Sequence, residues 1–223
     1  MKRILVSVQL LLLGLLLGCG GGMNTPPPPL AFYAPPEKPF GHSLAIGIFQ
    51  DKSFARYPLF IGVDELREVI QDEIERNKAF MDVITLPIDK DATPRDVEEK
   101  ALAAKANLLM EGELNESLCR FEGWNSMGVP VALTYIIFPI SFNIKAQTWQ
   151  GAAEVVYRIR EIKTGRVLLN RRVQAVAYRN FSIWEERTER QLNKNFIRHS
   201  LTPLVLQNLK SAITKDIVTN FAD

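Results

Sequence analysis

Few side chains in this 223-residue sequence are of the kind that performs chemistry, and their spacing limits what they can do. The two histidines, His42 and His199, have no Cys or His at ligand spacing beside them, so neither reads as a metal ligand. Glu111, Glu113 and Glu116 could pair as acid and base, but Glu111 and Glu113 fall on one strand face opposite Met110, Gly112 and Leu114, and a solvated face explains them. Lys163-Thr164-Gly165 could serve acyl transfer only beside a serine followed three residues later by Lys, and no serine here is. There is no Gly-x-Ser-x-Gly elbow and no phosphate loop ending in Gly-Lys-Ser/Thr. No enzyme, metal or cofactor is expected. Two cysteines remain, Cys19 and Cys119.

Cys19 closes a distinctive segment. Lys2 and Arg3 precede an almost wholly apolar run from Ile4 to Leu17, which suits a secretory signal and is short for a bilayer span. The run ends in Leu16-Leu17-Gly18-Cys19, which resembles the lipobox of bacterial lipoproteins. That resemblance implies a diacylglycerol on the Cys19 thiol, cleavage after Gly18 and acylation of the new amino group. Gly20, in place of Asp, implies sorting to the outer membrane. Several acyl chains, at about 0.8 kcal/mol per buried methylene, make such an anchor nearly permanent. Residues 19–40, with Gly20-Gly21-Gly22, Pro26 to Pro29 and Pro35-Pro36, read as a tether, flexible and then stiff. Residues 41–223 read as one periplasmic α/β domain. With Cys19 lipidated, Cys119 has no internal disulfide partner and reads as a small half-buried apolar side chain.

Charge removes a class of partner. The chain has 27 Lys and Arg against 25 Asp and Glu, and loss of Lys2 and Arg3 leaves 25 of each, so there is no overall field to attract nucleic acid. The distribution is uneven, with 15 acids and 7 bases from Asp64 to Glu116, but 15 bases and 8 acids from Ser117 to Asp223. The two halves complement each other within a compact domain, or form a dipole that orients partners.

These side chains must be positioned by alternating strands and helices. "SLAIGIFQD" predicts a strand, and "GVDELREVIQDEIERN" predicts a helix with Val63, Leu66, Ile70 and Ile74 on one stripe. "AFMDVITLP" is a second strand. Thr93-Pro94-Arg95-Asp96 opens a helix with an N-cap, a first-position proline and an acid at the third position. "NLLMEGELNESL" is a third strand. "AEVVYRIREI" and "RVLLNRRVQAVAY" form a hairpin around Lys163-Thr164-Gly165. "WEERTERQLNKNFIRH" reads as a helix with a thin apolar face, and "LTPLVLQNLKSAITKDIV" as one striped by Leu201, Val205, Leu209, Ile213 and Ile217. The order predicts one mixed sheet packed with helices: strand, helix, strand, helix, strand, then an antiparallel hairpin and a C-terminal helix.

"LAIGIFQD", "KALAAKANLLMEGELNE" and "YRIREIKTGRVL" resemble the periplasmic domains of outer-membrane lipoproteins that include the curli-secretion-channel lipoprotein and the lipoprotein activator of a bifunctional penicillin-binding protein. The likeness covers most of residues 43–218. It implies an α/β domain that binds envelope proteins, with no catalytic residues, and admits a homo-oligomer. The chain departs from the curli protein in lacking its channel-constriction segment. A non-catalytic accessory or assembly factor of an envelope complex is therefore expected, with an oligomeric export-channel subunit as the rival.

"VPVALTYIIFPISF", residues 129–142, carries no charge. Pro130 and Pro139 rule out a membrane helix. "VALTYIIF" followed by the alternating "SFNIKAQT" predicts a hairpin packed on its own domain; a surface for a partner or membrane and a barrel hairpin are the alternatives. For the anchor, Cys19→Ser is expected to abolish labelling by a radioactive fatty acid and remove the protein from the outer-membrane fraction. If the variant still sediments with outer membrane after a salt wash, the lipid is not its main tether.

Overall fold

The apolar run Leu44 to Ile46 becomes an almost wholly buried strand with a neighbour on each side. The computed structural model describes residues 36, 39–55, 58–88, 92–128, 131, 143–192 and 195–221. The signal segment, Cys19, most of the tether and residues 132–142 lie outside these. The described elements are β1 (Phe40–Asp51), α1 (Val63–Asn77), β2 (Phe80–Thr85), α2 (Pro94–Ala103), β3 (Leu108–Trp124), β4 (Gln147–Glu161), β5 (Val167–Phe181), α3 (Ile183–Leu192) and α4 (Phe196–Asn220). They form a single mixed sheet with strand order β2-β1-β3-β4-β5, as expected from the sequence.

Leu44 lies between Val83 and Leu108, Ala45 between Ile84 and Leu109, and Ile46 between Thr85 and Met110, all in parallel register. Parallel neighbours require crossovers, and α1 and α2 supply them. Two hydrogen bonds show that β4 runs antiparallel to β3. The Ile162 N–H bonds the Asn107 carbonyl and the Asn125 N–H bonds the Ala146 carbonyl, each at 2.9 Å, so each strand's start meets the other's end. The chain groups into two units. The larger comprises Leu30–Cys119, Gly151–Ala177 and Arg198–Asp223; the smaller includes Arg120–Gln150 and Tyr178–Ile197.

In the larger unit each helix forms for a local reason. In α1, Leu66, Ile70 and Ile74 are fully buried, while first-turn Asp64 and Glu65 and last-turn Arg76 suit the helix dipole. Burying each such side chain contributes about 1.5–3 kcal/mol. At the start of α2, Asp96 N–H donates to Thr93 Oγ1 at 3.2 Å and Thr93 N–H donates to Asp96 Oδ2 at 2.8 Å, a reciprocal cap. The Thr93 hydroxyl and then its N–H hold the Asp96 carboxyl below its ordinary pKa. Val97 and Ala101 of α2 pack with Ala45, Leu109 and Ile162 on one sheet face. On the opposite face α4 buries the whole predicted stripe, Leu201, Val205, Leu209, Ile213 and Ile217. There the Tyr157 hydroxyl donates to Asp216 Oδ2 at 2.6 Å. Burial, then this bond, raises the tyrosine's pKa.

The smaller unit corrects one local expectation. Alternation in "SFNIKAQT" predicts a strand, but β4 begins only at Gln147. Ahead of it the Ala146 N–H bonds the Ile144 carbonyl at 2.9 Å, and the Asn125 amide donates to the Lys145 carbonyl at 2.8 Å. This tight turn overrides the alternation. Val131, expected to begin the partner strand, instead has helical backbone, with its N–H bonded to the Met127 carbonyl at 3.1 Å.

The Lys-Thr-Gly triplet forms the β4–β5 turn. Gly165 N–H bonds the Glu161 carbonyl at 3.0 Å, and Gly165 has φ of +69°. A Cβ there would meet nothing within 4 Å, so a substitution is felt through the backbone alone. Gly165→Val is expected to lower stability by about 1–2 kcal/mol, and Gly165→Asn by less, because Asn tolerates positive φ. Urea denaturation checks both; equal midpoints for all three proteins would refute the strain.

Candidate functional site

The acids singled out by sequence lie in the larger unit, on the sheet face that α2 partly covers. Glu111 was expected on a solvated face, and the structure corrects this: it is only 9% exposed. Its Oε2 receives Arg158 Nη2 at 2.9 Å and Arg160 Nε at 3.4 Å. Arg160 also reaches Glu98 of α2 at 2.9 Å. The face is covered because α2 brings Glu98 down onto Arg160 while Val97 and Ala101 close the apolar half beside it. Burial would lower the Arg160 pKa, but hydrogen bonds and charge from Glu98 and Glu111 outweigh it and the net shift is upward. Glu113, half-buried, is held by Lys52 Nζ at 2.5 Å. Each acid of the supposed pair is therefore tied to a cation, an arrangement that suits structure and recognition more than proton transfer.

Beside this network an open cleft of about 280 Å³ runs over the sheet, lined by Ile48, Gln50, Glu113, Arg158 and Asn170 among others. It reaches β5, which ends the sheet with no described strand beyond it. In the larger unit β5 exposes Asn170, Arg171, Arg172 and Gln174. Arg172 and Gln174 both lean on Glu154, at 3.4 and 3.3 Å. Across its full length β5 contains three arginines and no acid. Alternation reveals this strand in the sequence; its place at the edge depends on sheet order, which alternation does not encode.

The other residues singled out by sequence do not converge here. His42 meets Phe221 edge-on at 6.4 Å, and His199 stacks at 4.6 Å on Phe60, whose ring the Arg198 guanidinium covers at 4.7 Å, so both pack as aromatic rings. Cys119, expected half-buried, is buried. Cys19 lies outside the described residues. Among the described residues no group of three or more His, Cys, Asp or Glu side chains could hold a metal ion, and no helix is long and apolar enough to cross a membrane.

No family model and no curated protein matches the chain. Solved structures similar to it include the hypothetical protein CT253 from Chlamydia trachomatis, at 14% identity and a TM-score of 0.48, covering 82% of this chain and 99% of that one. A PelC dodecamer from Paraburkholderia phytofirmans is 12% identical with a TM-score of 0.44, covering 86% and 96%. A minor lipoprotein from Acinetobacter baumannii is 15% identical with a TM-score of 0.40, covering 82% and 94%.

Neutralising Glu111 leaves two arginines short of a partner on a largely covered face. Glu111→Gln is expected to cost about 1–3 kcal/mol, the range for a lost charged hydrogen bond. Arg158→Ala, which removes a half-exposed partner, is expected to cost under about 1 kcal/mol. Urea midpoints compare the two; a larger loss from Arg158→Ala would show that the network hangs on the exposed arginine.

Proposed function

We propose that this chain is an outer-membrane lipoprotein, anchored through acylated Cys19, whose folded part faces the periplasm and binds other proteins as a non-catalytic accessory or assembly factor of an envelope complex. The lipobox-like Leu16-Leu17-Gly18-Cys19, the tether over residues 19–40 and the resemblance to curli-channel and penicillin-binding-protein-activator lipoproteins support the address. The observation that carries the binding half is the outer edge of β5. Its backbone borders no described strand, and its exposed middle, Asn170 to Gln174, is basic and amide-bearing, with the exposed Val167 ahead of it. Such an edge can take up an extended partner segment through main-chain hydrogen bonds, with side chains setting the choice. Its arginines also discourage pairing with a like-charged second β5. The matching partner is an extended segment bearing acidic side chains.

A photo-crosslinking residue at Gln174, on this edge, should give a discrete adduct in intact cells, whereas the same residue at Glu68, on the exposed side of α1, should not. Arg172→Glu should reduce the Gln174 adduct several-fold, as expected when a contact between opposite charges becomes one between like charges. No adduct from Gln174, or equal adducts from both positions, would refute binding at this edge. An adduct of twice the chain's mass would favour self-assembly instead.

A further inference from the structure

The smaller unit displays an aromatic group that the β5 edge does not involve. Phe121 and Trp124 at the end of β3 meet edge to face at 6.5 Å, and Phe121 tilts against Trp149 of β4 at 5.6 Å. Trp124 is 53% exposed, Phe121 and the neighbouring Met127 about 40%, and Trp149 is half-buried. The rings hold one another, and Trp124 rests against Gly128, so the group is presented in a fixed arrangement. Its neighbours along the chain hold little charge; across the unit, Gln147, which accepts from the Trp149 indole at 3.4 Å, also donates to Glu186 of α3. Among the described residues from Gly123 to Gln150 only Lys145 is charged, and beside Phe121 the Arg120–Glu122 pair at 2.6 Å cancels itself.

Exposed apolar rings of this kind call for a cover. Two indoles, a phenyl ring and a thioether beside one lysine offer a protein partner few polar contacts for register. They match the bilayer interface, where Trp is enriched, amphipathic rings sit at headgroup level and a cation meets anionic lipid. Reach agrees with this occupant. Twenty residues separate Cys19 from Phe40, and an extended chain of that length spans about 70 Å at most, so the anchoring bilayer is available.

We infer that Phe121, Trp124, Met127 and Trp149 form a membrane-contacting face that settles into the interfacial zone of the bilayer holding Cys19. The inference rests on the proposed acylation of Cys19, and the test separates the two. All three tryptophans of the chain, Trp124, Trp149 and Trp184, belong to the smaller unit, so tryptophan emission reports on that unit alone.

The acylated full-length protein is reconstituted into vesicles of phosphatidylethanolamine and phosphatidylglycerol, three to one, with or without bromine near the glycerol end of the acyl chains. Flotation with the vesicles reads the anchor. Loss of roughly a third or more of the emission in brominated vesicles, as expected if at least one of the three indoles enters the interface, reads the aromatic face. Trp124→Phe should remove most of the quenchable component and leave flotation unchanged. Protein that floats with emission insensitive to bromine overturns the membrane face and keeps the anchor; protein that does not float overturns both. Shielding from iodide that appears without lipid and grows with protein concentration would identify a second copy as the cover and overturn the membrane assignment.

Discussion

The architecture of the larger unit depends on keeping β1 dry on both faces. Leu44, Ala45 and Ile46 are at most 1% exposed, and adjacent residues of a strand point to opposite sides, so apolar cover is needed above and below at once. Parallel neighbours on both sides oblige the chain to cross over by helices, and those crossovers help provide the cover. The C-terminal helix α4 contributes to the face away from α2, where Lys210 reaches Glu73 of α1 at 3.2 Å. The sheet can then continue into β4 and β5 as a local hairpin, which leaves β5 with no described strand on its far side.

The uneven charge of the sequence finds its explanation in the same layers. Acids concentrate in the segment that supplies α1, α2 and the start of β3; bases concentrate in the segment that supplies β4, β5 and α4. Packing pairs one with the other: Arg160 with Glu98 and Glu111, Arg158 with Glu111, and Lys210 with Glu73. The halves thus complement each other across the larger unit. In the smaller unit the pairs are local instead, Arg120 with Glu122 and Arg190 with Glu186.

What could be read from the sequence was what short-range physics determines. The three-four spacing in α1 and α4, the Thr93-Pro94 start of α2 and the Gly165 turn depend on residues within a few positions of one another. The burial of Glu111 depends on Arg160, 49 residues away, and on a helix laid across both. No alternation pattern carries that information, so an acid on the polar side of a strand looked solvated. The helix expected over "WEERTERQLNKNFIRH" is split: α3 ends at Leu192 with no buried residue, Asn195 has φ of +57°, and Phe196 to His199 open α4. Of the strand expected in "SFNIKAQT", Gln147 and Thr148 do open β4, but Asn143 to Ala146 do not join it, because hydrogen bonds from Asn125, 20 residues earlier, favour a turn. Cys19, outside the described residues, was legible only as a sequence motif.

One small lock joins the beginnings of β1 and β3. Ser43 Oγ bonds the Lys105 carbonyl at 3.1 Å and Asn107 Oδ1 at 2.9 Å, while the Asn107 N–H bonds the Ser43 carbonyl at 3.0 Å. These groups are 64 residues apart along the chain. Closing so long a loop costs entropy before any contact repays it, so parallel pairing at this position is slow compared with the β4–β5 hairpin. The lock then acts as a register pin. A slip of one residue would forfeit these bonds and turn Leu44 and Ala45 to the wrong faces. Wherever β1 meets β3, Ser43 with Asn107 fixes where the pairing stops.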